Sequence, residues 1–183
     1  MRAFPQTRQI RLAVFDVDGV LSDGRLYYSA AGDALKAFDV RDGMGMKLLR
    51  DAGIELAILT SRSSPGVQLR AEDLGVQHLQ QGVADKYSAF AALLAALNLA
   101  PREAAFLGDD LVDLPVLQSC GFGATVADAP AILKRHADYV TRARGGRGAA
   151  REFCEIILHS RGALTARTAE FQRLPVSGKI SPP

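Results

Sequence analysis

Short, almost wholly apolar runs separated by longer helical stretches limit the fold of this chain more than any other feature. The runs are Ile10–Phe15, Ile54–Leu59, Ala104–Leu107 and Phe122–Val126, with a weaker fifth at Asp138–Val140. A strand that is apolar on both sides must be covered on both faces, as strands are in the parallel sheets of α/β proteins. The pattern therefore predicts an open parallel sheet between two layers of helices.

The stretches between these runs have the composition and the end signals of helices. Ser64 followed by Pro65 is typical of a helix start, and Gly53 of a helix end. The other predicted helices cover Gly43–Ala52, Asp85–Leu99, Leu111–Ser119, Pro130–His136 and Gly148–Ser160. This alternation predicts a Rossmann-like α/β fold, in which ligands bind beyond the carboxyl ends of the strands.

One segment interrupts the alternation. Arg25–Ser29 and Ala34–Val40 read as two strands joined by Ala31-Gly32-Asp33, which predicts a β-hairpin over about residues 24–40, directly after the first strand. A lone hairpin is marginally stable in water, and this one carries several large apolar side chains. We therefore expect the hairpin to pack against another subunit.

Length and composition favour one folded domain. The chain has 183 residues, of which 48% are hydrophobic and 23% charged, as in ordinary soluble proteins. We place the domain at residues 1–160 and predict a mobile tail at 161–183, where no periodicity is present. No apolar run could cross a bilayer, and the amino end lacks the apolar core of a secretory signal. We expect a cytoplasmic protein without membrane contact, whose Cys120 and Cys154 are reduced.

The small net charge of +2 is unevenly distributed. The tail carries four basic and one acidic residue, or +3, which leaves 18 basic and 19 acidic residues, or −1, in the remainder of the chain. A nucleic-acid surface needs clustered basic groups on the folded part, and only Arg142–Arg151 is a candidate. No aromatic residues lie among those arginines to stack on bases, so we expect no nucleic-acid partner.

Acidic residues follow the first predicted strand. Asp16 and Asp18 lie two positions apart, so their side chains point to nearly the same place. A lone Asp-x-Asp is more often a turn or a helix cap than a site, but at the end of a buried strand the two carboxylates repel each other. Mg²⁺, which binds one or two carboxylates together with water and phosphate oxygens, would relieve that repulsion.

Three further signals reach the same edge of the sheet. The run Gly108–Asp113 supplies three more acids after a strand, one of which could simply cap a helix. The segment Thr60–Pro65 offers hydroxyls and backbone N–H groups at a helix start, where anions bind, although it could also be an ordinary capped helix. Lys86 begins a helix, a position that the helix dipole disfavours for a lysine, but it could be a solvated surface residue.

Together and in this order, these residues resemble the four motifs of the haloacid dehalogenase-like phosphohydrolases. The motifs match Asp16-x-Asp18, Thr60, Lys86 and Gly108-Asp109-Asp110-x-x-Asp113. The resemblance implies that Asp16 is a nucleophile that attacks phosphorus, and that Asp18 protonates the leaving alcohol and then activates water. It also implies that Thr60 and the N–H of Ser61 hold the phosphoryl oxygens and that Lys86 offsets their charge.

The same resemblance implies a Mg²⁺ site. The ligands would be Asp16, the main-chain carbonyl of Asp18, and Asp109, with Asp110 and Asp113 close behind. An anionic nucleophile needs such positive charge to approach an anionic phosphate ester.

The spacing of the motifs leaves no room for a cap domain. The segment from Asp16 to Thr60 holds only the hairpin and one helix–strand unit, and the segment from Thr60 to Lys86 holds a helix and a short strand. An uncapped site is open to water, so a neighbouring subunit would have to close it over a small substrate.

Longer stretches resemble the 3-deoxy-D-manno-octulosonate 8-phosphate phosphatase family within that superfamily, over about residues 8–160. The stretches are Phe38–Gly43, Leu74–Val76, His78–Leu79, Gln81–Gly82, Gly108–Leu111, Ala137–Thr141, Gly145–Ala149 and Arg151–Cys154. The resemblance implies a cytosolic, Mg²⁺-dependent homotetramer that releases phosphate from an eight-carbon sugar acid for lipopolysaccharide synthesis.

The resemblance also suggests substrate-binding residues, namely Ser61, Arg62, Arg70 and Arg41. Arg70 occupies a position linked to the sugar carboxylate, although it and Arg41 could equally be surface arginines. Ser61 departs from the family pattern, which has glycine there, but its main-chain N–H survives the change. The loop after Arg62 and the tail also differ.

Three alternatives remain open at this point. A phosphatase for nine-carbon, sialic-acid-type 9-phosphates would share the fold and the mechanism. A phosphate-binding tetramer without catalysis is disfavoured by the intact Asp16, Asp18, Lys86 and Asp109. A nucleic-acid 3′-phosphatase fits an open site but not the negative charge of the residues before the tail.

Overall fold

A six-stranded parallel sheet lies at the centre of the protein, in a computed structural model that describes residues 4–28, 30 and 34–173. The strands of this part are β1 (Leu12–Phe15), β2 (Tyr27–Tyr28), β3 (Ala34–Leu35), β4 (Glu55–Leu59), β5 (His78–Gln80), β6 (Ala104–Gly108), β7 (Phe122–Thr125) and β8 (Tyr139–Val140). The helices are α1 (Val40–Asp51), α2 (Pro65–Leu74), α3 (Lys86–Ala96), α4 (Leu114–Ser119), α5 (Ala131–His136), α6 (Ala149–Ser160) and α7 (Ala163–Arg173).

The order of the strands brings the three most apolar runs together. The sheet runs β5-β4-β1-β6-β7-β8, and every pairing in it is parallel. Strand β1 lies between β4 and β6, with Phe15 beside Ile58 on one side and Leu107 on the other. The predicted open parallel sheet is confirmed, and the three strands that end in candidate site residues are neighbours.

Alternate side chains of β1 enter two separate hydrophobic cores. Ala13 and Phe15 pack with residues of α1, α2, α5 and α6, and the ring of Phe15 meets that of Phe153 edge to face at 5.5 Å. Leu12 and Val14 pack on the other face with residues of α3 and α4. Because both faces are covered, the strand is apolar at every position. The prediction of helices on both faces is therefore confirmed.

The hairpin is present but shorter than predicted. Strands β2 and β3 pair antiparallel over two residues each, and the predicted turn at 31–33 lies outside the described residues. Val40, which we assigned to the second strand, instead begins α1 because the Asp39 side chain accepts a hydrogen bond from the backbone N–H of Arg41 and caps that helix. Among the described residues, the hairpin, α1 and β4 occupy the space between the first two motifs, so no cap domain is present there.

Within the segment 161–183, for which we predicted a mobile tail, residues 163–173 form α7. Gly162, at φ +71°, ends the preceding helix, and Ala163 and Leu164 then pack against the core. Arg167 lies 3.3 Å from Asp51 at the end of α1. The segment lacks a strong apolar period, but its alanines and arginines favour a helix once one end is docked. Residues 174–183 of the predicted mobile tail lie outside the described residues, and its mobility stays a prediction.

No helix in the described part of the chain is both long and apolar enough to span a membrane.

Candidate active site

Three candidate residues meet at the carboxyl edge of the sheet. Asp16 follows β1, Thr60 follows β4, and Asp109 follows β6, and these strands are adjacent. An open cavity of about 270 Å³ lies at this edge. It is lined by Asp16, Asp18, Gly24, Thr60, Ser61, Arg62, Lys86, Asp109, Asp110 and Val112. The structure therefore brings together eight of the predicted site residues at this edge of the sheet, the candidate nucleophile Asp16 among them.

Lys86 reaches this cavity from the first turn of α3, where Asp85 caps the helix by accepting a hydrogen bond from the backbone N–H of Ser88. Its Nζ atom lies 2.8 Å from Oδ2 of Asp16 and 2.6 Å from Oδ1 of Asp113. Burial alone would lower the pKa of Lys86, but the two carboxylates raise it above its ordinary value. Lys86 is therefore a buried cation between two acids, and the alternative of a solvated surface lysine is wrong.

Asp113 organises the loop after β6. Its side chain is fully buried, and its Oδ2 accepts hydrogen bonds from the backbone N–H groups of Asp109, at 2.9 Å, and Asp110, at 3.2 Å. Asp110 in turn accepts one from the N–H of Leu111 at 2.7 Å and caps a short 3-10 turn at Leu111–Asp113. The acids of this loop thus have two different roles. Asp113 fixes the loop, and Asp109 faces the cavity.

The site holds more negative charge than its lysine can offset. Oxygens of Asp16, Asp109 and Asp113 lie within 4.8 Å of one another. Burial and the charge of Asp113 raise the pKa of Asp16 to about 6, against the opposing effect of Lys86. Burial and the charges of Asp16 and Asp113 raise the pKa of Asp109 to about 8. Crowded, buried carboxylate oxygens are the ligands that Mg²⁺ prefers, so the donor set fits this ion.

The turn after β1 accepts only glycine next to Asp18. Gly19 has φ +87°, and a Cβ atom placed there would lie 2.0 Å from Oδ2 of Asp109. From the other side, a Cβ on Gly145 would lie 1.7 Å from the carbonyl oxygen of Gly19. The turn is therefore held between the carboxylate of Asp109 and the backbone at Gly145.

Sequence reasoning missed Lys36, which forms an ion pair with Oδ1 of Asp18. Lys36 directly follows β3, and its side chain is almost fully buried. The only signal in the sequence was the alternation Leu35-Lys36-Ala37 in a predicted strand, which places Lys36 on the opposite face from Leu35. That pattern does not show which of the two faces is buried.

The three arginines predicted to bind substrate lie in different places. Arg62 lines the cavity and donates a hydrogen bond to the hydroxyl of Tyr28 at 3.1 Å. Arg70 donates to Asp73 and to the carbonyl oxygen of Asp39, so it ties α2 to the start of α1. Arg41 is exposed and pairs with Asp39 at 2.6 Å. Neither Arg41 nor Arg70 lines the cavity that holds Asp16.

The basic loop at 142–147 lies beside the site. Arg144 and Arg147, with Arg25, line a neighbouring depression that also contains Asp23 and Asp128. Gly145 donates its N–H to Asp128 at 3.1 Å, and Gly146 donates to the carbonyl oxygen of Val20 at 2.8 Å. The loop thus supports the turn that carries Asp18.

Comparison with known proteins agrees with this geometry. The family described as haloacid dehalogenase-like hydrolase matches residues 79–152. The 3-deoxy-D-manno-octulosonate 8-phosphate phosphatase KdsC of Escherichia coli K12 is 48% identical over 159 residues, which cover 87% of this chain and 85% of the relative. The chain belongs to the 3-deoxy-D-manno-octulosonate 8-phosphate phosphatase family.

Solved structures of similar proteins extend the agreement to the fold. A probable YrbI family phosphatase from Pseudomonas syringae has a TM-score of 0.91 and 47% identity, covering 92% of this chain and 96% of that one. The 3-deoxy-D-manno-octulosonate 8-phosphate phosphatase of Moraxella catarrhalis, in complex with a magnesium ion, a phosphate ion and KDO, has a TM-score of 0.90 and 42% identity. It covers 91% of this chain and 96% of its own. The resemblance found in the sequence motifs is thereby confirmed.

Proposed function

We propose that this protein hydrolyses 3-deoxy-D-manno-octulosonate 8-phosphate to the free sugar acid and phosphate, in a Mg²⁺-dependent reaction. The observation that carries the proposal is the buried Asp16–Lys86–Asp113 cluster beside Asp109, three of whose members line one open cavity, namely Asp16, Lys86 and Asp109. The Escherichia coli relative is named for this substrate, and the Moraxella catarrhalis structure holds magnesium, phosphate and KDO. Structural roles alone do not explain so many buried acids at one sheet edge.

In the first step, a carboxylate oxygen of Asp16 attacks phosphorus, and the bond between phosphorus and the sugar oxygen breaks. Lys86 holds Oδ2 of Asp16 at 2.8 Å and so fixes the rotation of this carboxylate. Asp18, in its protonated form, gives its proton to the departing sugar oxygen, which leaves as a hydroxyl group. The products of this step are the free sugar acid and an aspartyl-phosphate on Asp16.

In the second step, Asp18 is a carboxylate and takes a proton from a water molecule whose oxygen attacks phosphorus. The bond between phosphorus and Asp16 breaks, so that the Asp16 carboxylate and a protonated Asp18 are regenerated and phosphate is released. Thr60 and Ser61 line the cavity next to the start of α2, and Thr60 and the N–H of Ser61 would bind the phosphoryl oxygens.

Mg²⁺ would be held by the carboxylates of Asp16 and Asp109 and by the main-chain carbonyl of Asp18. Its charge would offset the repulsion between the anionic nucleophile and the anionic phosphate ester. Asp113 would keep the loop of Asp109 and Asp110 in place through its two backbone hydrogen bonds.

The substrate-binding surface would extend beyond the phosphate pocket. Among the described residues, Arg62 is the one arginine that lines the same cavity as Asp16. Arg41 and Arg70 lie away from that cavity and both contact Asp39. For either arginine to contact the sugar acid, the substrate would have to extend to the region around Asp39, or a second subunit would have to reach that region.

The proposal includes a homotetramer in the cytoplasm that serves lipopolysaccharide synthesis. Two observations support an assembly. The outer side chains of the hairpin, Tyr27, Tyr28 and Leu35, are exposed and apolar, and the active-site cavity is open.

The experiment is phosphate release from 3-deoxy-D-manno-octulosonate 8-phosphate by the full chain, with Mg²⁺ and with EDTA. We expect turnover only with Mg²⁺, and a loss of at least about 1,000-fold in Asp16→Asn and Asp109→Asn. Lys47→Met, which breaks an ion pair with Asp73 away from the cavity, is the matched control and should keep full turnover. Turnover that persists in Asp16→Asn would refute the proposed nucleophile, and no turnover in the wild type would favour a phosphate-binding protein without catalysis.

A further inference from the structure

The second arm of the hairpin points its charge inward and its apolar side chains outward. Leu35 is 73% exposed, whereas the side chain of Lys36, the next residue, is only 2% exposed. Lysine is among the side chains least often fully buried unless it is paired. This reversed arrangement needs a specific partner for the buried ammonium group.

That partner is the proposed acid–base residue. The Nζ atom of Lys36 forms an ion pair with Oδ1 of Asp18. Asp18 lines the cavity that contains Asp16, Thr60 and Lys86, whereas Lys36 does not line it. Lys36 therefore contacts the carboxylate without contacting the space where a substrate would bind.

The other oxygen of Asp18 is in the opposite situation. Among the side chains that the structure describes, those of residues 4–28, 30 and 35–169, Oδ2 of Asp18 is the one buried oxygen or nitrogen that lacks a hydrogen-bond partner. A buried carboxylate oxygen without a donor is unfavourable, and such groups persist mainly where function uses them. The two oxygens of this carboxylate are thus distinguished by the structure, since Lys36 holds one and the other is buried without a hydrogen bond.

We propose that Lys36 is a positioning residue for the reaction proposed above, on which this inference rests. Its ammonium group holds Oδ1 of Asp18 and so sets the rotation of the carboxyl group that transfers protons. In the first step the proton on this carboxyl group passes to the departing sugar oxygen. In the second step the Asp18 carboxylate takes one proton from the attacking water, which restores the starting state.

A second contact ties the hairpin to the same site. On the first arm, the hydroxyl of Tyr28 accepts a hydrogen bond from Arg62, which lines the cavity. The two arms therefore contact the two motifs that follow β1 and β4. The position of the hairpin and the orientation of Asp18 are linked through Lys36.

A purely structural ion pair would hold the hairpin against the domain without affecting proton transfer. The two roles predict different effects of replacing Lys36 on kcat/KM for substrates with different leaving groups. An alkyl oxygen needs a proton as it departs, whereas a nitrophenolate is stable without one. Since kcat/KM reports on the step in which the leaving group departs, a misplaced acid should affect the alkyl phosphate far more.

The experiment compares the wild type with Lys36→Met on 3-deoxy-D-manno-octulosonate 8-phosphate and on 4-nitrophenyl phosphate. We expect kcat/KM to fall about 100-fold on the sugar phosphate and less than about tenfold on the aryl phosphate, with Lys36→Arg recovering most of the loss. KM should change less than kcat, because Lys36 does not line the binding cavity. Equal losses on both substrates, or no loss on either, would overturn the proposal.

Several controls separate this role from a general effect on the fold. Lys47→Met removes another lysine from an ion pair with an aspartate and should leave both values unchanged. The Mg²⁺ concentration at half-maximal activity should also stay the same in Lys36→Met. In an Asp18→Asn background the further loss from Lys36→Met should be less than about twofold, because the two residues act through one carboxylate. A full additive loss would contradict the proposal.

The design also separates this inference from the proposed function. If Lys36→Met does not fold, Lys36→Gln removes the charge while keeping a donor, and the same comparison applies. If the wild type hydrolyses aryl and simple alkyl phosphates but not the sugar phosphate, the proposed substrate fails, and the alkyl-to-aryl comparison still decides the role of Lys36. If the wild type hydrolyses none of them, both proposals fail.

Discussion

At the scale of single residues, the carboxylates around Lys86 are held together against their mutual repulsion. Lys86 contacts Asp16 and Asp113, but Asp109 lies close to both without a cation of its own among the described residues. The raised pKa values of Asp16 and Asp109 follow from burial and from this crowding. The site is therefore less stable than a neutral core would be, which is typical of a site built for chemistry.

This crowding leads to a prediction for Asp16→Asn in the absence of metal. The pKa of Asp16 is raised in the folded state, so ionisation of Asp16 destabilises the fold as the pH rises from about 4 through 6. At pH 7.5 in EDTA we expect the free energy of unfolding of the variant to exceed that of the wild type by about 1 kcal/mol, although the variant has lost its activity. Denaturant unfolding measures this difference, which should vanish near pH 4, and a strongly destabilised variant would contradict our account of the charges.

Gly19 gives a second prediction at this scale. An alanine there would adopt a left-handed backbone and would place its Cβ atom 2.0 Å from Oδ2 of Asp109. We expect Gly19→Ala to destabilise the fold by about 1–2 kcal/mol and to raise the Mg²⁺ concentration for half-maximal activity more than tenfold. Gly53→Ala is the control, since its φ is +77° but a Cβ atom there meets nothing within 4 Å. A similar effect on Mg²⁺ in both variants would show that backbone strain alone is responsible.

At the scale of the elements, each strand that ends at the site is followed by a turn or by the start of a helix. That turn or helix start places one functional side chain in the site. The strand β4 ends at Thr60, and Ser64 and Pro65 then begin α2, while Gln81 accepts a hydrogen bond from the N–H of Ser64 at 2.8 Å. Asp85 begins α3 and so places Lys86 inward. The chemistry thus depends on where helices begin.

The carboxyl-terminal helix belongs to the opposite edge of the sheet. Leu164 packs on the core and Arg167 pairs with Asp51, at the end of α1 that lies away from the site. We expect that removal of all residues after Ser160 changes turnover or KM while leaving the fold intact. The position of α7 adds that this truncation should also lower the free energy of unfolding by about 1–2 kcal/mol.

A second truncation separates the helix from the residues beyond it. Removal of residues 174–183 alone should keep the stability and reproduce the change in turnover or KM. Steady-state kinetics and denaturant unfolding on the two truncated chains provide the comparison. If both chains have the kinetics of the full protein, the tail plays no part in catalysis.

The elements also show what could be read from the sequence. Apolar runs located five of the six strands of the sheet, but not β5, which is short and only half-buried. The acids and hydroxyls that follow the runs located the site, because parallel strands bring their carboxyl ends to one edge. The predicted end of the hairpin at Val40 was wrong, because the side chain of Asp39 caps a helix that begins there. The contact of Lys36 with Asp18 could not be predicted, since it joins residues that only the folded hairpin brings together.

At the scale of the whole molecule, the outer side chains of the hairpin are the clearest surface for assembly. Tyr28 and Leu35 are 63% and 73% exposed, although the same hairpin holds Lys36 against the site. We expect Leu35→Lys to weaken the proposed tetramer, because it would place a charge in an apolar contact. Sedimentation should then show smaller species, and the sugar-phosphate activity should fall with them.

The control for assembly is Leu69→Lys, another exposed leucine, which lies on α2 away from the hairpin. It should leave the mass of the particle unchanged. A wild-type protein that sediments as a monomer at all concentrations would contradict the proposed tetramer, while leaving the chemistry of the site untouched.

The most direct test of the whole account is a comparison of kcat/KM with Mg²⁺ on three substrates. These are 3-deoxy-D-manno-octulosonate 8-phosphate, a nine-carbon nonulosonate 9-phosphate and 4-nitrophenyl phosphate. We predict that the eight-carbon substrate is preferred by about 100-fold, equivalent to about 2.7 kcal/mol of transition-state binding. A preference for the nine-carbon substrate, or no preference among the three, would contradict the assignment of this chain to its proposed reaction.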